Sequence, residues 1–459
     1  MLNLFSIMFK YSKLLILFSF IAVFSATIHA QTKGKNPIII IPGLTGSELV
    51  NSKTGETVWF KAQRSKDDDI RLPISSLDLS QNKDSLIAGD VIRGVQFLKI
   101  LPEIEIYEKL IDALQTRGGY AEGKWENPPV TGYEDTYYVF AYDWRLDNVE
   151  NARTLIRKIE DLKRKLKRPD LKFNIIAHSM GGLISRYAAM YGTADLPKTG
   201  KPRPTWAGSK NFSKVFLLGT PNEGSAESLD ALINGFSYVG GGLNLPFVQN
   251  VSKFDTFTIP SIYQLLPHAG TLKAFDENLK PLDVDVFDVK TWDEYGWSVI
   301  KDEKFDKNFT VAEQKNAKAY FQAVLNRAKR FQEALDANTN VKTSVQMYLI
   351  GADCKDTLDG FVLYRDKKDE WKTLFKADDF TRSNGEKVTK EELKKILYSM
   401  GDGVVPKRSL LAQTLTEKRN KTILPITAEI AVCEGHTRLV TSPDVQDKLF
   451  AFLLSEAGK

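Results

Sequence analysis

The stretch Ala177-His178-Ser179-Met180-Gly181-Gly182 sets a serine between small residues two positions before and two after it. It follows the apolar run Phe173–Ala177 and precedes the helical pattern Gly181–Tyr191. A serine on a sharp strand-to-helix turn exposes its hydroxyl at the carboxyl edge of a sheet, and its flanks must be small because strand and helix pass closely there. Ser179 is therefore the candidate nucleophile. At its ordinary pKa a serine attacks poorly unless a base, most often histidine, lies within hydrogen-bond reach. The chain has four histidines. His29 falls in a leader-like segment, His178 adjoins the serine with its side chain expected to point elsewhere, and His268 sits beside Pro267 in a long insertion. His436 remains, in the loop Glu434-Gly435-His436 that follows the run Ala428–Val432. A third group must orient that imidazole, an Asp or Glu between serine and histidine in chain order. Two residues fit: Asp353, after Val345–Ile350, and Asp402, in the glycine-flanked loop Gly401-Asp402-Gly403.

These side chains need a scaffold that brings distant loops to one edge. Ile38–Ile41 is a β-branched run closed by Pro42-Gly43, a buried strand feeding a tight loop. Ile106, Tyr107, Leu110, Ile111 and Leu114 recur at helical spacing until Gly118-Gly119. Tyr137–Tyr142 reads as a strand, Leu155, Ile156, Ile159, Leu162 and Leu166 as one helical face, and Lys214–Leu218 as a strand again. Strand alternating with helix predicts a mostly parallel sheet with helices on both faces. The alternation breaks between Leu218 and Val345, where the capping box Thr310-Val311-Ala312-Glu313 opens a helix with Tyr320, Phe321, Val324, Leu325, Ala328, Phe331 and Leu335 on its apolar face. It resumes with the strand Ala428–Val432 and the helix Asp444–Leu454. The expectation is a core of residues 31–225 and 341–459 with a cap inserted at 226–340.

With 459 residues, 42% hydrophobic and 26% charged, the chain has ample material for a core. A net charge of +5, with no recognisable reading motif, argues against a nucleic-acid partner. Residues 1–30 lack acid and carry Lys10 and Lys13, the apolar run Leu14–Phe24 and the small-residue end Ile28-His29-Ala30. They read as a signal peptide cut before Gln31, with an uncleaved anchor as the alternative, so the chain is expected to be exported to a periplasm or the exterior. An exported chain with two cysteines, Cys354 and Cys433, is permitted a disulfide, two buried thiols being the other reading. Nothing in the spacing of potential ligands announces a metal or a cofactor.

The set Ile40-Ile41-Pro42-Gly43-Leu44-Thr45-Gly46-Ser47, Ala141-Tyr142-Asp143-Trp144-Arg145, Ala177-His178-Ser179-Met180-Gly181, Gly219-Thr220-Pro221-Asn222-Glu223-Gly224-Ser225, Gly401-Asp402-Gly403 and Gly435-His436 resembles the lecithin:cholesterol acyltransferase and lysosomal phospholipase A2 family of α/β-hydrolases. The resemblance runs through nearly the whole chain in order, and the Tyr-Asp-Trp-Arg block is its most specific element. It implies an α/β-hydrolase fold, a triad of Ser179, Asp402 and His436, and oxyanion donors in the backbone N–H groups of Leu44 and Met180. It also implies an acyl hydrolase or acyltransferase on lipid esters, with contact to a lipid surface through the region of Trp59 and Phe60, core packing of that pair being the other reading. A soluble carboxylesterase, or a silent binding protein of the same fold, are the competing readings. The chain departs from the vertebrate pattern in having no cysteine before Cys354, and its long cap leaves the acyl acceptor open. Asp143 and Arg145 are expected to form a structural ion pair beside the sheet, a substrate-binding pair being the alternative.

Overall fold

Four consecutive isoleucines suit a strand covered on both faces, since neither face can be left to water, and Ile38–Ile41 (β1) is buried throughout in the computed structural model. The structure describes residues 35–61, 68–95, 104–237, 250–413 and 424–455. The leader-like segment 1–30 and the glycines 240–242 lie outside them. Asn36–Leu453 forms one unit, to which everything below refers. Among the described residues no helix is long and apolar enough to cross a membrane.

Six further strands join β1: β2 (Ala121–Glu122), β3 (Thr136–Val139), β4 (Phe173–His178), β5 (Phe212–Leu218), β6 (Gln346–Ala352) and β7 (Ile426–Val432). Their order is β7-β6-β5-β4-β1-β3-β2 and every pair is parallel. The chain leaves β1 to one side, then returns to its other side with β4 and steps outward. The strand order therefore reverses at β1, and the crevice beyond the carboxyl ends of β1 and β4 is where such sheets bind ligands. Pro42-Gly43-Leu44 and Ser179 begin there.

The principal helices are α1 (Glu108–Thr116), α2 (Asn148–Lys165), α3 (Met180–Tyr191), α4 (Ala226–Asn234), α5 (Val311–Leu335), α6 (Lys390–Leu397) and α7 (Pro443–Leu453). On one face of the sheet α2 packs against α3. On the other α1 and α7 meet through Gln446 Nε2 donating to Lys109 O and Arg117 over the Phe450 ring. All twelve residues of α3 are buried. A helix enclosed on every side must satisfy any charge it carries, and Arg186 on α3 donates to Asn222 O, Asn222 Oδ1 and Leu335 O. Burial lowers its pKa to about 10, which leaves it charged at neutral pH. It ties α3 to the loop after β5 and to the end of α5.

A small second sheet is assembled from two excursions of the chain. Lys273–Phe275, in the predicted insertion, pairs in parallel with Gly360–Arg365, which follows β6. Pro281–Leu282 and Trp371–Leu374 complete that four-stranded sheet. Val362, Phe380, Val388, Leu393 and Leu397 enclose a small core of their own beside it. The capping box at Thr310 and Glu313 forms as expected and opens α5.

Two expectations near β1 resolve differently. Arg145 is fully buried and forks to Asp84 (2.6 and 2.9 Å) and to Asp143 (3.0 and 2.8 Å), a structural network. Trp59 is 0% exposed, sits edge-on to Trp144 and donates its indole N–H to Thr45 O. An indole enclosed in this way offers nothing to a lipid surface, so the expectation of membrane contact fails for Trp59. Phe60 is half-buried against the same core.

Removing one member of a buried charge network strands its partners, at about 3 kcal/mol or more. Arg145→Ala should lower the urea midpoint accordingly. Arg145→Lys should recover little of the loss, because a single ammonium cannot fork to two carboxylates.

Candidate active site

Between Phe173 and Tyr191 every residue is buried except Ser179. Its backbone has φ 53 and ψ −125, a conformation that a residue with a β-carbon seldom adopts. The turn is held by Ser179 N–H donating to Leu218 O and by Gly182 N–H donating to Ser179 O. It also needs space. A β-carbon at Gly181 would lie 2.5 Å from Pro42 O, and one at Gly43 would lie 2.9 Å from Ser179 Cβ. The loop after β1 therefore crosses directly over the serine.

The structure brings Ser179, His436 and Asp402 together. Ser179 Oγ lies 2.9 Å from His436 Nε2, and His436 Nδ1 lies 2.6 Å from Asp402 Oδ2. Asp402 is 2% exposed, and its other oxygen accepts from the N–H groups of Val404 (2.9 Å) and Val405 (2.7 Å). That turn keeps Oδ2 aimed at the imidazole. The ionised carboxylate can only accept, so Nδ1 carries the proton and Nε2 is left to accept from the serine hydroxyl. Asp353 is elsewhere, paired with Lys407 at 3.1 Å. Cys354 and Cys433 form a disulfide. It joins the chain just past β6 to the chain just past β7, three residues before His436.

The loop Pro42–Ser47 is gripped by the Tyr-Asp-Trp-Arg block, for Tyr142 Oη donates to Pro42 O and Trp144 Nε1 to Ser47 O. Within the loop Gly46 N–H donates to Gly43 O, and Gly43 N–H to Tyr107 Oη. The N–H groups of Leu44 and Met180 donate to nothing among the described residues. Met180 opens the twelve-residue α3, whose amino end favours negative charge. A hydroxyl, a base and a carboxylate in this order, beside two unspent N–H groups, can activate an oxygen nucleophile and receive a developing oxyanion.

Two residues of this site were not singled out by type and spacing. Tyr107 counted only as one of α1's apolar residues, and His178 was expected to point away. His178 does turn from the serine, into contact with Tyr107 and the main chain of His436. Burial, and then the neighbouring charge of His436, push its pKa down to about 3. The available signal was chemical: a buried tyrosine hydroxyl needs a partner.

The sheet and elbow place the chain in the α/β-hydrolase fold. A chain in the crystal structure of the Tle4–Tli4 complex matches it with a TM-score of 0.52 at 13% identity, covering 91% of this chain and 98% of that one. The sequence pattern of the lecithin:cholesterol acyltransferase family matches residues 124–430, more than half of the chain, and the protein belongs to that family. It is 23% identical over 288 residues to the uncharacterized protein YJR098C of Saccharomyces cerevisiae, a match covering 59% of this chain and 35% of that one. It is 24% identical over 255 residues to lecithin-cholesterol acyltransferase-like 4 of Arabidopsis thaliana, covering 50% and 43%. The chain thus spans less than half the length of either relative.

A histidine whose pKa falls on folding binds fewer protons folded than unfolded, so stability rises with pH between the two values. For His178 the window runs from about 3 up to the ordinary 6.5. The native protein should lose stability as pH falls through it, and His178→Gln should show a flatter dependence in urea midpoints taken across this range.

Proposed function

We propose that the protein is an exported serine acyl hydrolase or acyltransferase acting on ester-linked acyl chains of lipids. The observation that carries the reading is the unbroken hydrogen-bonded series Ser179 Oγ, His436, Asp402 at the single accessible residue of the elbow. Ser179 Oγ attacks the acyl carbonyl while His436 Nε2 takes its proton. The tetrahedral oxyanion is received by the N–H groups of Leu44 and Met180. Collapse expels the alcohol, which takes the proton back from Nε2, and leaves an acyl-serine. Water or a second alcohol then gives its proton to Nε2 and attacks the acyl carbon, and Ser179 Oγ leaves, taking that proton back from Nε2. Asp402 holds the imidazole in the required tautomer and offsets its charge when protonated.

Family membership supports the lipid class of substrate. So do two exposed apolar side chains near Asp402 in the sequence, Met400 (47% exposed) and Val404 (37%). Exposed apolar side chains suit a substrate presented at an interface, and these two are the candidates for the contact expected of Trp59. The leader-like residues 1–30 and the Cys354–Cys433 disulfide support export to an oxidising compartment.

Ser179→Ala should lower turnover on the order of 10⁶-fold, as loss of the nucleophile does in other triads, and abolish labelling by a fluorophosphonate. Activity above a tenth of native would sink the assignment. Asp402→Asn should cost about 10⁴-fold by triad precedent, while Asp353→Asn stays near native; the reverse ranking would remove Asp402 from the triad.

Replacing Met400 and Val404 by serine should reduce hydrolysis of phospholipid vesicles far more than hydrolysis of a short soluble ester. Equal losses would favour a soluble carboxylesterase. Product analysis on the same vesicles with and without an added alcohol separates hydrolysis from transfer.

A further inference from the structure

A second hydrogen-bonded series crosses the site without entering the acyl-transfer steps. Tyr107 stands immediately before α1 and is 2% exposed. Its Oη accepts from Gly43 N–H at 2.8 Å and lies 2.9 Å from His178 Nδ1. His178 Nε2 lies 3.1 Å from the carbonyl oxygen of His436. The two ends fix the direction of every proton. Gly43 N–H can only donate and His436 O can only accept, so His178 carries its proton on Nε2 and Tyr107 donates to Nδ1. A neutral His178 satisfies both contacts, in keeping with a pKa near 3. A doubly protonated ring would present an N–H to Tyr107 Oη in place of an acceptor.

The series links four chain segments: the loop after β1, the start of α1, the residue before the nucleophile and the loop carrying the base. His436 is held by both polar groups of its main chain, its N–H donating to Asp402 O at 2.9 Å and its carbonyl accepting from His178. The Gly43–Leu44 turn is anchored through Gly43 N–H, which leaves the N–H of Leu44 unspent.

We propose that Tyr107 and His178 are positioning residues that lock the Gly43–Leu44 turn and the His436 main chain to one another across Ser179, so that the oxyanion donor and the base arrive in register. This rests on the reading of Ser179 and His436 as catalytic. A misplacement of about 1 Å at a reacting centre can cost about 100-fold in rate, while the substrate's binding surface is untouched.

The test is Tyr107→Phe, which keeps the ring and removes only the hydroxyl, assayed on p-nitrophenyl butyrate. The expected result is kcat per folded enzyme reduced by about 10- to 100-fold, KM within about twofold of native, and fluorophosphonate labelling slowed in parallel. His178→Gln, which can still donate towards His436 O, should retain more activity than His178→Leu. A Tyr107→Phe kcat within about twofold of native would overturn the proposal, because a tyrosine that serves only packing loses nothing at the reacting atoms. Imidazole ¹⁵N spectra of the native chain and of Ser179→Ala supply a readout free of activity. His178 should be neutral with its proton on Nε2 at pH 5 in both, and a charged ring or an Nδ1–H tautomer would overturn the proposal. If the native protein neither hydrolyses the ester nor takes the label while the spectra show the expected tautomer, the catalytic reading has failed and the hydrogen-bonded lock stands. A native enzyme indifferent to Tyr107→Phe is the opposite failure.

Discussion

A residue with a β-carbon held at positive φ costs about 1–3 kcal/mol and persists only where its surroundings leave no alternative. Ser179 is such a residue, and much of the molecule is arranged around it. Its N–H is taken by Leu218 O at the end of β5. Strand β4 feeds it from beneath, and α3, buried on every side, leaves it at once. The glycines at 43 and 181 give up side chains so that Pro42 and the serine can pass within contact. The strand-order reversal at β1 puts the carboxyl ends of β1 and β4 side by side, which lets the loop of one lie over the turn of the other.

His436 and Asp402 come to this turn from outside it. Asp402 sits at the end of Tyr398–Gly401, a strand paired with Lys355–Leu358, and Cys354 begins that strand's approach. The disulfide to Cys433 closes the triangle, so Asp402 and His436 are attached to one covalently joined pair of segments. Their rigidity relative to one another comes from this joint and from the main-chain bond between them. Their placement relative to Ser179 depends on β6 and β7 lying in the same parallel sheet as β4. Arg186 adds a tie from the elbow helix to the end of α5 and thus to the cap.

What was legible in the sequence follows from the range of the signals. Ile38–Ile41, Phe173–Ala177 and the apolar faces of α2 and α5 are local patterns, and each was found within a few residues of its place. Ser179, His436 and the two candidate acids emerged because chemistry excludes most residue types. Choosing Asp402 over Asp353 required a family resemblance, since both are acids between the serine and the histidine in chain order and only the fold shows Asp353 turned to Lys407. The second sheet escaped because Lys273–Phe275 and Gly360–Arg365 pair across more than eighty residues, and strands so short carry little periodicity. Trp59 misled for a related reason: an aromatic pair after a strand reads alike whether the indole meets lipid or Trp144, and burial is a tertiary fact. Tyr107 carried a helical spacing and hid a hydrogen bond.

The parts of the site enter the chain far apart, at Leu44, at Ser179, at Asp402 and at His436, the last of them after the final strand of the sheet. A nascent chain that has emerged only as far as β6 already contains the elbow, yet its serine has neither base nor acid and is an ordinary alcohol. Activation of the serine therefore waits for the step that docks β7 and brings His436 to Ser179. On the proposed reading a stalled chain stays inert, and the ability to take a serine-directed label reports that β7 and the loop carrying His436 have docked.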